Sequence, residues 1–376
     1  MANTGTQVPV LYQTVLDSNG HPVAGAKIYT YLAGTTTPTT TWTDATLGTP
    51  NSNPIIADSA GRWSAYLQPG AGYKFVIQDA SGAAIRTIDN VVGLPVVQTP
   101  TTEVHTCDGR LTLTSGTPVT VTDVTAATTV YFTPYNGSKI ALYDGVAWAV
   151  YVFAEIPLPL AGLSANVNRD VFAVAVAPNV TLSYRDWSSD TARNIPLALQ
   201  DGVLVLSGQP TYRYLGTIRT TGTVGQCEDS LTKRYVWNYA HRVRRPLFRS
   251  ESTSSWPYTT AAWRQANGNA ANQVEVVIGV AESLISLVCL GAAGNPTGGV
   301  NVVVGIGEDT VTAPAAAQLI PFLTTLGAGN QAVLVAMLSK LPLAGRHFYA
   351  WLEYSTATGT TTWAGSNQGL SGWCEG

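Results

Sequence analysis

The sequence predicts a mainly β protein, built of consecutive antiparallel β-sandwich domains with one linking amphipathic helix. Three observations carry this. Short runs rich in Val, Ile, Thr and Tyr alternate with Gly-, Asn- and Asp-containing reversals along most of the chain. Charged residues make up only 11% of the 376, well under the usual quarter, so hydroxyls and amides must solubilise the surface. One stretch, CEDSLTKRYVWNYAHRVRRP, places apolar residues four apart between helix start and stop signals.

Taken in order, residues 1 to about 15 read as an arm, TGTQVPVLYQTV, able to add an edge strand to a neighbour. A first domain, 1–98, follows from LDSNGHPVAGAKIYTY, where Asn19-Gly20 is a hairpin signal because a matching two-residue reversal needs φ > 0 at both positions. Ser59-Ala60-Gly61 and Ala80-Ser81-Gly82 repeat the device, giving a small antiparallel sandwich of about seven strands. VVQTPTTEVHTCDG reads as a hinge. A central β-domain, 99–226, shows hairpins at Asp144-Gly145 and Asp201-Gly202.

The segment 227–253 is expected to hold the linking helix. Asp229 or Ser230 caps it, Arg242, Arg244 and Arg245 suit its C-terminal dipole, and Pro246 ends it. Leu231, Tyr235, Tyr239 and Val243 recur every four residues and form its apolar face, the expected contact between protomers. A C-terminal β-sandwich, 254–376, carries the Val- and Ile-rich runs QVEVVIGVAESLISLVCLGAAG and GGVNVVVGIGED and the strand RHFYAWLEYS, while periodicity leaves 313–338 open between helix and strand. No repeat of fixed period runs through the chain, against a solenoid or propeller.

The order D-x-x-G-x-P-V-x-G-A-x-I-Y, then TWTDATLGTPNSNPIIADSAGRW and IRTIDNV, resembles the prealbumin-like N-terminal domain of bacteriophage tail-fibre and tailspike proteins. The likeness continues through LTLTSGTPVTVTDVTAATTVYFTPYNGSKIALYDGVAW and GQCEDSLTKRYVWNYAHRVRR to GTTTWAG. It implies a virion appendage whose N-terminal domain attaches to tail or head proteins and whose distal domain recognises a host surface polysaccharide or outer-membrane receptor. The habit of such fibres, with the low charge and the apolar helix face, implies a homotrimer. A glycan-degrading tailspike and a capsid-mounted head fibre stand as alternatives.

The remaining features narrow the chemistry. A net charge of −3 gives no general attraction to nucleic acid, and no run of eighteen apolar residues predicts membrane insertion. MANTGTQVPV shows no secretory signal, which suits assembly in a host cytoplasm and release by lysis. Cys107, Cys227, Cys289 and Cys374 lie far apart without metal-ligand spacing, so free thiols, no metal site and no cofactor are expected. There is no GxSxG, HExxH or P-loop; GIGEDT lacks the third glycine of a dinucleotide fingerprint. His21, His105, His241 and His347 read as solvated or structural, and no enzymatic activity is expected.

Three features stay open to function. Lys233, Arg234, Arg242, Arg244, Arg245 and Arg249, interleaved with aromatics, suit an anionic ligand or, more simply, charge pairing and subunit contact. Asp186 and Asp190 beside Trp187 are the local candidates for a glycan-cleaving acid pair, though a loop Asp is commonly a solvated turn residue. Tyr349 and Trp351 on one face of the 347–354 strand, with Trp363 and Trp373, are candidates for stacking on a sugar or for burial between protomers.

Overall fold

The structure, a computed structural model, describes residues 6–7, 13–92, 104–176, 178–316, 318–320 and 324–376. The chain is mainly β, with several antiparallel sheets and no α-helix among the described residues. It forms two compact units, 1–101 and 102–376. Most of the arm and hinge expected from the sequence lies outside the described residues; within the arm, Thr6–Gln7 pairs antiparallel with Tyr66–Leu67.

In the first unit a four-stranded sheet runs in the order Ile55–Ile56, Lys27–Leu32, Gly72–Gln78, Ala84–Val92. Alternation explains its core, since Tyr73, Phe75 and Ile77 point inward with Ile28 while their neighbours face out. The three reversals share one construction, Asp-x-x-Gly-x. The amide N–H of Gly20, Gly61 and Gly82 donates to the carbonyl of Asp17, Asp58 and Asp79 respectively. Each carboxylate also takes bonds from the loop it starts: Asp17 Oδ1 from the amides of Asn19 and His21 at 2.8 Å, Asp58 Oδ1 from those of Ala60 and Arg62, and Asp79 Oδ1 from the Ser81 hydroxyl and the Ala83 amide. Asn19-Gly20 is therefore part of a three-residue loop in which the glycine, at φ 82°, takes the left-handed place, and not a two-residue reversal.

The second unit stacks several sheets. An eight-stranded sheet runs Val124–Ala127, Cys227–Asp229, Lys233–Arg234, Gln273–Ile278, Gly345–Ser355, Val300–Glu308, Thr324–Leu326, with Arg264–Gln265 also on Gly345–Ser355. A six-stranded sheet is built around Asn168–Val176 and Gln209–Arg219. A five-stranded sheet runs Arg244–Ser250, Thr361–Glu375, Ile285–Gly294, Gln331–Lys340, with Ser255–Tyr258 on Thr361–Glu375. Asp201-Gly202 is the two-residue turn expected, with φ 51° and 83° between the Gln200–Val203 pair. The other hairpin centres one residue later than its Asp, on Gly145-Val146.

The linking helix is absent. Its residues form the strands Cys227–Asp229, Lys233–Arg234, Val236–Asn238 and Arg244–Ser250. A four-residue recurrence is a multiple of two, so Leu231, Tyr235, Tyr239 and Val243 fit strand alternation as well as a helix. Partners distant in sequence decide the matter: Gly216, Thr217 and Ile218 pair with Asn238, Trp237 and Val236, and Asn238 brackets the Leu111 backbone with its amide side chain. His241 turns the chain at φ 54°, outside helical geometry.

The segments 99–226, 227–253 and 254–376 are accordingly not separate parts. Strands of the second segment join sheets of both others, and one core cluster unites Phe172, Leu206 and Tyr214 with Trp237, Val276, Leu287 and Trp351. All four cysteines are free and buried, and burial pushes the Cys374 thiol up to about 12.

Candidate functional site

The strands Ile285–Gly294 and Gln331–Lys340 pair antiparallel along their full length. Their sequences, ISLVCLGAAG and QAVLVAMLSK, have little polar alternation, so whichever face goes inward the other stays apolar. Leu287, Cys289, Leu334, Ala336 and Leu338 enter the core cluster. Their neighbours point outward, where an antiparallel sheet is ordinarily polar.

Register arranges the outer side chains in rows. Phe248 lies opposite Ser371, Ser371 opposite Val288, Val288 opposite Met337, and Met337 opposite Leu319. The adjacent row places Leu290 opposite Val335, and the next Ala292 opposite Val333. Phe248, Leu319, Val333, Val335 and Met337 are exposed by 47, 74, 71, 39 and 50%. On the other side of the first row, Pro246 and Ser286 flank Trp373, whose ring carries the Arg244 guanidinium at 4.3 Å. The result is a wide apolar sheet face, with the charge of these rows confined to their Arg244 and Glu375 end.

Of the four candidate sugar-stacking residues, Trp373 reaches this face. Tyr349, Trp351 and Trp363 are fully buried, which removes them as surface aromatics. The 345–355 strand is central in its sheet, flanked by Gln273–Ile278 and Val300–Glu308, and both of its faces are covered, since Tyr349 and Trp351 on one and Ala350 and Leu352 on the other are all buried. Tyr349 donates to Glu308, whose other oxygen holds Lys340 at 2.7 Å. His347 is held between Asp309 and the Leu343 carbonyl. Burial lowers its pKa but the Asp309 bond and charge outweigh this and raise it.

The four interface candidates do not form one face either. Tyr235 is interior, its hydroxyl donating to Glu275. Tyr239 packs half-buried against Tyr214 and Trp237. Leu231 is half-buried in a bend and Val243 half-buried just before the Arg244–Ser250 strand, their amides donating to Asp123 and to the Gly376 carbonyl.

The basic cluster is largely consumed within the chain. Asp229, itself buried, receives Arg234 at 2.9 Å and Arg245 at 2.8 Å. Lys233 pairs with Glu228, Arg242 with Glu282, and Arg249 donates to Asn272. Arg110 joins this interior with bonds to the carbonyls of Pro118 and Gly376; burial, then the Arg245 charge, lower its pKa to about 10. The candidate acid pair is likewise engaged, Asp186 with Arg169 at 2.8 Å and Asp190 with Arg219 at 2.6 Å. Among the described residues no group of His, Cys, Asp and Glu is placed to hold a metal ion.

The residues missed from sequence are Phe248, Val288, Leu290, Leu319, Val333, Val335 and Met337. For Val333, Val335 and Met337 the signal was the uninterrupted apolar run at 332–338, which shows that any face it leaves open is apolar but decides neither helix against strand nor which face is uncovered.

No protein-family model matches the chain, and no curated protein matches it. Among solved structures, two entitled "Structure of infectious bursal disease virus" for the Gt and Gx strains align at 10% identity over 99% of this chain and 78% and 79% of theirs, with a TM-score of 0.16. A likeness that low carries no argument about fold or function.

Proposed function

We propose that this chain is a non-enzymatic structural subunit of a bacteriophage appendage, a tail fibre or spike carried on the virion. The first unit is its prealbumin-like attachment sandwich to the particle, and the second unit, a stack of β-sheets, meets the host surface as a homotrimer. The observation that carries the reading is how the side chains suited to chemistry are used. Asp186, Asp190, Asp229, Glu275, Glu308 and His347 each hold a structural partner, while the exposed resource is an apolar sheet face suited to contact. The turns of the resembling N-terminal motif support the same reading, because Asp17 and Gly20 of D-x-x-G-x-P-V build the first hairpin.

The test is to label the chain on particles of the phage that encodes it and to ask whether the purified protein competes with those particles for host cells. Labelled projections and blocked adsorption are expected. Unlabelled particles would sink the proposal, and new reducing ends released from host polysaccharide would transfer the chain to the glycan-cleaving class.

A further inference from the structure

We infer that the outer face of the five-stranded sheet, formed by Phe248, Val288, Leu290, Val333, Val335 and Met337, is the surface by which one copy of this chain binds another. This deepens the homo-oligomer of the preceding reading by naming its contact. It does not depend on where the oligomer is mounted.

Area is the first argument. The fractional exposures of Phe248, Leu319, Val333, Val335 and Met337 amount to about 500 Å² of residue surface, and half-buried Val288, Leu290 and Trp373 extend it toward the ~800 Å² per partner of a stable interface. A patch of this size stands at the upper end of what a monomer leaves open to water.

The second argument is what the face lacks. Across the three rows that centre on Val288, Leu290 and Ala292, the outward positions are aliphatic, aromatic, glycine or serine. A foreign partner chosen by charge has nothing there to read. An uncharged aliphatic face suits the same face of other copies, three of them converging about the axis of the proposed trimer, and interfaces between identical subunits are the more apolar kind. The opposite charges of Arg244 and Glu375 lie together at one end, where a rim belongs.

Sedimentation equilibrium of the full chain at micromolar concentration tests this. The wild type should sediment as an oligomer. Val335→Glu combined with Met337→Glu should raise the dissociation constant by about a hundredfold or more, because each copy would bury like charges that have no opposite partner on this face. Leu199→Glu, at an exposed position of the six-stranded sheet, should leave it unchanged. Should the charged pair fail to fold, Val333→Thr with Val335→Thr keeps shape and strand preference and should weaken association about tenfold. A monomeric wild type, or threonine variants that fold and assemble as tightly as wild type, would overturn the inference. A monomer that still labels particles would do so while leaving the appendage reading in place.

Discussion

The turn bonds of the first unit and the interior bonds of the second differ in reach. In the first, the carboxylates of Asp17, Asp58 and Asp79 bond to groups two and four residues away, at the surface. Amide hydrogen bonds favour the ionised form and lower the pKa of Asp17 and Asp58; for Asp79 the Ser81 hydroxyl leads, then the Ala83 amide. In the second unit, Arg245 reaches Thr120 across 125 residues, Asn238 reaches Leu111 across 127, and Arg213 reaches the carbonyls of Val104 and His105 from 109 and 108 residues away. These bonds are buried or partly buried. A surface turn that loses its bond falls back on water, whereas an interior guanidinium that loses its carboxylate has nothing to replace it.

The largest effect should therefore come from Asp229→Ala, which leaves Arg234 and Arg245 buried without their shared carboxylate. A loss of about 3 to 5 kcal/mol is expected, read as an earlier urea transition for the second unit with that of the first unchanged. If both transitions move together, the independence of the two units is wrong.

Next in size is a pH effect at Glu353, which is fully buried between Arg264 and the Trp256 indole. Burial pushes its carboxyl up to about 7 from 4.5, against the pull of both partners. Between those values the unfolded chain is ionised while the folded one keeps its proton. Stability should fall as pH rises through this window, by about 3 kcal/mol in all, and be level above it. Unfolding midpoints across the window should be flatter in Glu353→Gln, and an equal slope would remove Glu353 as the cause. Glu251 works in the opposite sense. Burial raises its pKa, but bonds from Asn269, Thr253 and Asn272 together bring it to about 2, so its contribution is lost as pH falls below about 4.5.

Smaller effects belong to the first unit. Gly61 sits at φ 72° with room for a Cβ blocked by the Val15 carbonyl at 2.9 Å, so Gly61→Ala should cost about 2 to 3 kcal/mol. Gly20, in the equivalent place of the sister turn at φ 82°, has open space around it, and Gly20→Ala should cost only about 1 kcal/mol. Thermal unfolding of the pair separates backbone conformation from steric contact, and equal losses would show that contact adds nothing.

Much of the β-structure was legible because its signals are local. Asp201-Gly202 needs only its flanking Leu197, Leu199, Val203 and Val205 to be read as a hairpin. The helix expected over 229–245 failed because spacing by four satisfies two periodicities, and the choice between them was made by residues 216–218, which are remote in the chain. Tyr349 and Trp351 failed as surface aromatics on the same ground. Alternation showed that 347–354 is a strand with two distinct faces, but not that both of them would be covered.

By itself the sequence determined the β class, the places of the reversals and the low charge, since these rest on backbone preferences and composition carried by each short segment. Only the tertiary structure decided which strands became neighbours, which carboxylates were absorbed by arginines and which apolar face stayed open. Those outcomes depend on burial, and burial is a property of pairs of segments: Trp351 and Met337 are both apolar residues in strands, and only what packs over each makes one core and the other surface.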